Sequence, residues 1–250
     1  LDAISQSCDV FFYEIALKTG INKIANISRE FGLGLPTGIN LPGEKSGLIP
    51  DRQWKLDVKK KVWRPGETII AGIGQGYVLA TPIQLALMSS RIANGGKKIT
   101  PTLLKSSKLE SLNFESVKVS KENLSIIKKA MEKVTLGEFG TGRNFRIGIE
   151  GVEMAGKTGT VQVRRISAKE RESEEGVIKN EDRIWEWRDH ALYVGYAPMD
   201  KPRYAISVIV EHGGSGSKKA GPIARDIMEA TLRGDPTRFI PNNPVKKPKI

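Results

Sequence analysis

The chain has 250 residues, 39% of them hydrophobic and 27% charged, a balance that fits one large globular domain and excludes a disordered or fibrous polymer. Its 40 Lys and Arg against 28 Asp and Glu leave a net charge of +12, which suits a merely soluble basic surface, a nucleic acid, an anionic membrane or an anionic polymer. The lone cysteine, Cys8, excludes an intrachain disulfide, and no apolar run reaches the roughly 18 residues of a membrane span.

The chain opens at Leu1-Asp2-Ala3-Ile4, with neither an initiator methionine nor a signal peptide. We expect it to be a piece whose amino-terminal part lies elsewhere. Residues 1–31 read as helical. Ile4, Phe11, Phe12, Ile15 and Ala16 recur near helical spacing, Gly20 can end one helix, and a second runs from Ile21 to Phe31. A polar cluster, Ser5-Gln6-Ser7-Cys8-Asp9, interrupts the apolar pattern. From Gly32 to Gly66 the turn signals Gly-Leu-Pro-Thr-Gly and Leu-Pro-Gly predict a long loop, and Lys59-Lys60-Lys61 predicts a solvated face. Gly72-Ile73-Gly74-Gln75-Gly76 is not a G-x-G-x-x-G loop and sits in no βαβ pattern, so close backbone approach beneath a cleft is expected instead of nucleotide binding.

Thr81 and Pro82 are a cap and first residue for a buried helix that ends at Asn94-Gly95-Gly96. Ser120 opens another, with Leu124, Ile127, Met131 and Val134 on one face. Gly137–Gly142 is expected to be a flexible link. Three strands, 152–163, 191–197 and 204–211, are predicted to form an antiparallel meander. Residues 164–188 carry seven basic and seven acidic side chains, so they read as an exposed, mobile excursion in which Trp185 and Trp187 fold back onto the domain. A helix near Ala220–Leu232 should pack on the sheet through Ile223, Ile227 and Ala230. The Pro-, Asn- and Lys-rich tail, 236–250, is expected to be disordered.

The stretch that concentrates chemistry is Lys157-Thr158-Gly159-Thr160, within the first strand. Alternation puts Lys157 and Gly159 on one face, Thr158 and Thr160 on the other. A cation, hydroxyl donors and a bare glycine suit an extended ligand that ends in a carboxylate and lies along the strand.

Taken in order, Ser7-Cys8-Asp9, Phe11-Phe12-Tyr13, Gly72–Tyr77, Ala80-Thr81-Pro82-Ile83-Gln84, Lys157–Thr160, Arg188-Asp189-His190 and Glu211-His212-Gly213-Gly214 resemble the transpeptidase domain of class B penicillin-binding proteins. Among these the chain looks most like the elongation type of the rod-shape complex, the penicillin-binding protein 2 group, over residues 1 to about 235. The resemblance implies an α/β fold of the serine-penicilloyl-transferase class, an antiparallel sheet flanked by helices, its first strands and nucleophile-bearing helix missing here. It implies a peptidoglycan D,D-transpeptidase that uses Ser-x-x-Lys, Ser-x-Asn and Lys-Thr-Gly motifs. The first motif is expected before Leu1; Ser125-Ile126-Ile127-Lys128 and Ser215-Gly216-Ser217-Lys218 fall in the wrong order to replace it. Ser7 then corresponds to the proton shuttle, and Asp9, standing where Asn is usual, to its orienting partner. A helix cap is the alternative role for both. Lys157 supplies positive charge, Thr158 holds the substrate carboxylate, Gly159 admits the ligand, and Thr160 binds it through hydroxyl and backbone, its N–H helping to form the oxyanion hole.

No metal or organic cofactor is implied, and His190 and His212 read as structural hydrogen-bonders. Expected partners are stem peptides, β-lactams, and a membrane glycosyltransferase and scaffold of the rod-shape complex, on the periplasmic face of a bacterial inner membrane. A β-lactam sensor or a pseudo-transpeptidase would carry the same motifs. Nucleic-acid binding rests on charge alone, without a recognised module.

Overall fold

The computed structural model describes residues 1–104, 114–164, 170, 172–173 and 176–235. The tail expected to be disordered and most of the charged stretch before residue 176 lie outside them. Three strands, β1 (Ala155–Val161), β2 (His190–Ala197) and β3 (Tyr204–Val210), form an antiparallel sheet in that order. In register, Lys157 faces Val194 and Thr160 faces Ala191, and Ala191 in turn faces Val210. The meander therefore forms as the alternation of Ile206, Val208 and Val210 implied, with ends within a few residues of the expected ones.

Helices cover both faces. Strand residues Ala191, Tyr193 and Ala197, with Met154 and Phe145, pack against Ala224, Met228 and Leu232 of the last helix, α8 (Gly221–Gly234). Ala155 and Tyr196 face the other way, onto Ile92 and Ala93 of α6 (Pro82–Ala93) and Met131 of α7 (Lys121–Leu136). Each large side chain removed from water there contributes roughly 2 kcal/mol. Thr81 and Gln84 form the capping box that starts α6, and Ser120 caps α7. The α8 face differs from the expected one. Ala224, Met228 and Leu232 are buried, while Ile223 and Ile227 are 40% and 48% exposed. Two apolar stripes run along this helix, and the sheet takes the one with the small Ala224, which lets the backbones approach.

The amino-terminal helices are α1 (Asp2–Ser5), α2 (Asp9–Thr19) and α3 (Ile21–Glu30). Within the stretch expected to be a long loop α4 (Arg52–Lys59) forms, and α5 (Pro65–Gly72) begins at its end. Asp51 caps α4 through the Trp54 N–H at 2.8 Å and pairs with Arg29 of α3 at 2.7 Å. The one buried position of α4 is Lys55, paired with Glu67 at 2.5 Å. The Gly72 backbone lies against Ala16, so α5 docks on α2. Lys59, Lys60 and Lys61 are exposed, as expected.

Two further expectations are corrected. Gly137–Gly142 is anchored, not free: the Gly142 N–H donates to Val134 O at 2.8 Å and the Thr141 N–H to Ser5 O at 3.1 Å. The end of the charged excursion is likewise built in. Arg183 is buried and pairs with Asp189 at 3.3 Å. Trp185 packs against His212 with the ring planes tilted by 54° and the centroids 4.3 Å apart, yet Trp185 and Trp187 each stay 54% exposed.

Candidate active site

The polar cluster near the amino terminus is a helix break. α1 stops at Ser5, and α2 starts at Asp9 behind Cys8, whose side chain makes no cap hydrogen bond. Between them Ser7 adopts φ +55°, a left-handed conformation uncommon for a residue with a Cβ. Such strain persists only where the surroundings hold it. Here they do: Lys133 of α7 pairs with Asp2 at 2.7 Å, and Ser5 O accepts the Thr141 N–H.

The turn delivers the Ser7 hydroxyl to β1. Lys157 Nζ donates to Ser7 Oγ, joining residues 150 apart in the chain, and also to Thr158 O at 2.8 Å. Ser7 is therefore not a helix cap. Burial pulls the Lys157 ammonium from the lysine value of 10.5 down to about 8, while the Asp9 carboxylate opposes that shift. Asp9 is itself exposed at the first position of α2. The structure thus brings Ser7, Asp9 and Lys157 into one electrostatic neighbourhood, with the carboxylate acting on the ammonium through space.

β1 is an edge strand among the described residues, paired to β2 on one side only. Alternate residues of such a strand turn both N–H and C=O outward. Thr158 O takes the Lys157 ammonium, and Thr160 O takes the Gln75 side-chain amide at 3.0 Å. The N–H groups of Thr158 and Thr160 therefore face the same open side. That is where an extended ligand could add as a further strand, and where the Thr160 N–H could meet a developing oxyanion. Gly159 lies over Leu192 and directly under Gly216, which has no room for a Cβ against the Gly159 and Leu192 backbones.

Two contributors escaped the sequence reading. Thr141 Oγ1 lies 2.8 Å from Thr158 Oγ1 and fixes that hydroxyl. Gln75 holds the Thr160 end of β1 from the glycine-rich turn after α5, where Gly74 and Gly76 both take φ +75°. Nothing in a lone Thr-Gly or Gln between glycines announces such a contact 17 or 85 residues away. In neither Ser-x-x-Lys sequence does the serine hydrogen-bond to its lysine. Ser125 is exposed on α7, and Lys128 Nζ donates to Ala93 O at 3.3 Å. Ser215 Oγ is 3.0 Å from Ser217 Oγ, and Lys218 is exposed. His190 and His212 do make structural bonds: His190 Nδ1 accepts the His212 N–H at 2.9 Å, and His212 Nδ1 meets Arg188 O at 2.9 Å.

Residues 1–229 match the family model described as the penicillin binding protein transpeptidase domain. The chain is 36% identical over 244 residues to the peptidoglycan D,D-transpeptidase MrdA of Haemophilus influenzae, covering 92% of this chain and 36% of that protein. Its fold is similar to PBP2 in the complex with MreC from Helicobacter pylori, with TM-score 0.79 and 35% identity over 93% of this chain and 39% of that one. A chain from a peptidoglycan synthase complex that coordinates polymerization and crosslinking superposes with TM-score 0.71 at 32% identity, over 95% of this chain and 38% of that one. The 250 residues thus span little more than a third of the length of these relatives.

Proposed function

Given that the chain belongs to the penicillin-binding protein transpeptidase family, we propose that it forms the substrate-binding half of a serine-type peptidoglycan D,D-transpeptidase active in cell elongation. The observation that carries this reading is the hydrogen bond between Lys157 and Ser7, which joins the second and third family motifs across 150 residues.

In the proposed reaction a serine Oγ attacks the carbonyl of the penultimate D-alanine, its proton passing to the lysine of the same Ser-x-x-Lys motif and on to Ser7. The C=O electron pair moves onto oxygen, and the Thr160 N–H stabilises that oxyanion. Lys157 and Thr158 hold the terminal carboxylate, with Thr141 orienting the Thr158 hydroxyl. Ser7 passes a proton to the departing D-alanine amine as the C–N bond breaks. An amine of a neighbouring stem then attacks the acyl-enzyme and forms the new amide as the acyl C–O bond breaks, its proton returning to the serine oxygen. A β-lactam presents the same carboxylate and carbonyl, so it acylates the same serine. Asp9 keeps Lys157 charged enough for its part. The attacking serine is that of a Ser-x-x-Lys motif other than the two in this chain.

The reading puts the working protein on the periplasmic face of a bacterial inner membrane as a proposal of its own, with a membrane glycosyltransferase and scaffold of the rod-shape complex as proposed partners. The MreC complex of the Helicobacter pylori relative and the synthase complex support that assembly. Labelling with a fluorescent penicillin tests the assignment, comparing the 250-residue chain with a version extended upstream through a Ser-x-x-Lys segment. We expect only the extended protein to label, at one serine. Labelling of the short chain would put Ser125 or Ser215 back in contention. Two folded proteins that both stay dark would favour a pseudo-transpeptidase.

A further inference from the structure

The outward carbonyls Thr158 O and Thr160 O of β1 are both taken. Thr158 O accepts from the Lys157 ammonium, and Thr160 O accepts from the Gln75 side-chain amide at 3.0 Å. Caps of this kind protect an unpaired strand edge from stray pairing. The two caps differ in their footing. Lys157 belongs to β1 itself and is also tied to Ser7. Gln75 reaches across from the turn after α5 to an exposed Thr160. The backbone of that turn is fixed: the Gln75 N–H donates to Ile70 O at 3.1 Å and the Gly74 N–H to Ala71 O at 3.0 Å. The Gln75 side chain can therefore swing away between staggered rotamers while the turn that carries it stays in place.

The next step rests on the function proposed above. A substrate carboxylate at Lys157 and a scissile carbonyl at the Thr160 N–H make the acyl donor run antiparallel to β1. Residues that face each other in a hydrogen-bonded antiparallel pair exchange both bonds. The penultimate D-alanine, whose carbonyl takes the Thr160 N–H, therefore aims its own N–H at Thr160 O. That is the oxygen Gln75 holds. We propose that Gln75 is a displaceable latch on the ligand-binding edge of β1, its amide holding Thr160 O until the N–H of an acyl donor replaces it. A ligand that brings this N–H trades one neutral hydrogen bond for another and gains little from it. A ligand without the N–H leaves the latch closed and forgoes nothing. The latch thus makes the site discriminate less between amide-bearing and amide-free ligands than an uncapped edge would.

The test uses the upstream-extended protein and two penams, one with an acylamino group beside the reactive carbonyl and one without it. Their acylation rates are measured by competition against a fluorescent penicillin, and the readout is the ratio of the first rate to the second. Gln75→Met keeps the length of the side chain and removes the donor. It should raise the ratio about tenfold, the worth of one neutral hydrogen bond. Gln75→Lys keeps a donor on a chain of similar length and should hold the ratio at or below that of the unaltered protein. A side chain that merely supports β1 gives a different pattern: in Gln75→Met both rates fall together and the ratio stays put, which overturns the latch. An equal rise in Gln75→Met and Gln75→Lys overturns it too. Acylation of the unaltered protein is read first. If neither penam acylates it, the transpeptidase reading fails and takes the latch with it; acylation with an unmoved ratio removes the latch alone.

Discussion

One ammonium, that of Lys157, serves a hydroxyl, a carbonyl and the proposed substrate carboxylate from a position that burial makes costly for charge. At neutral pH most of it is still protonated, because its pKa lies at about 8. The charge is lost as pH rises through that value, so penicillin acylation should fall on an alkaline limb near pH 8. Asp9 is what raises this pKa against burial. Asp9→Asn should therefore move the limb to lower pH, which a pH profile of acylation would show; an unmoved limb would separate Asp9 from Lys157. Stability moves the opposite way. The unfolded chain binds more protons between about 8 and 10.5, so Lys157 adds stability as pH rises through that window. Thr141 acts one hydrogen bond further out. Thr141→Val should slow acylation about tenfold by freeing the Thr158 hydroxyl, and Thr141→Ser should restore it.

Among the elements, strand β1 depends on glycine at a place outside itself. A Cβ on Gly216 would overlap the backbones of Gly159 and Leu192. Gly216→Ala should therefore cost about 3 kcal/mol and lower the melting temperature by roughly 5–10 °C in a thermal scan. It should also abolish labelling, since Gly159 must shift. Elements announced by local chemistry were legible: the Thr81-Pro82 start of α6, the Ser120 start of α7 and the alternation of β3. Helix α4 was not, because its single buried side chain is a lysine neutralised by Glu67, which leaves no apolar stripe to read. Helix α8 was found with the wrong face inward, since two stripes competed and only the depth of the sheet contact chooses between them. Lys157, Thr158 and Thr160 stood out because their chemistry is contiguous in one strand. Thr141 and Gln75 did not, because their roles exist only once separate segments meet.

At the scale of the whole molecule, helices cover both faces of the sheet, but β3 has an open outer edge among the described residues. Ile209 of that strand is 38% exposed, and Ile223 and Ile227 of α8 are 40% and 48% exposed. Open edges and apolar stripes of this kind invite association. The 250-residue chain should self-associate at micromolar concentration in sedimentation velocity. Ile223→Lys/Ile227→Glu should shift it toward monomer; an unaltered distribution would place the contact elsewhere.

The bond between Ser7 and Lys157 also sets a clock. During synthesis Ser7 leaves the ribosome first, and about 150 further residues must be translated before Lys157 exists. At roughly 5–20 residues per second that is a wait of about 8 to 30 seconds. The intervening loop must then close against its own entropy. A nascent chain that ends before Lys157 carries only one half of the pocket, so a ligand that reads this geometry finds no complete site until that residue has been added. Occupancy of the pocket would in that sense report that the contact between Ser7 and Lys157 has closed.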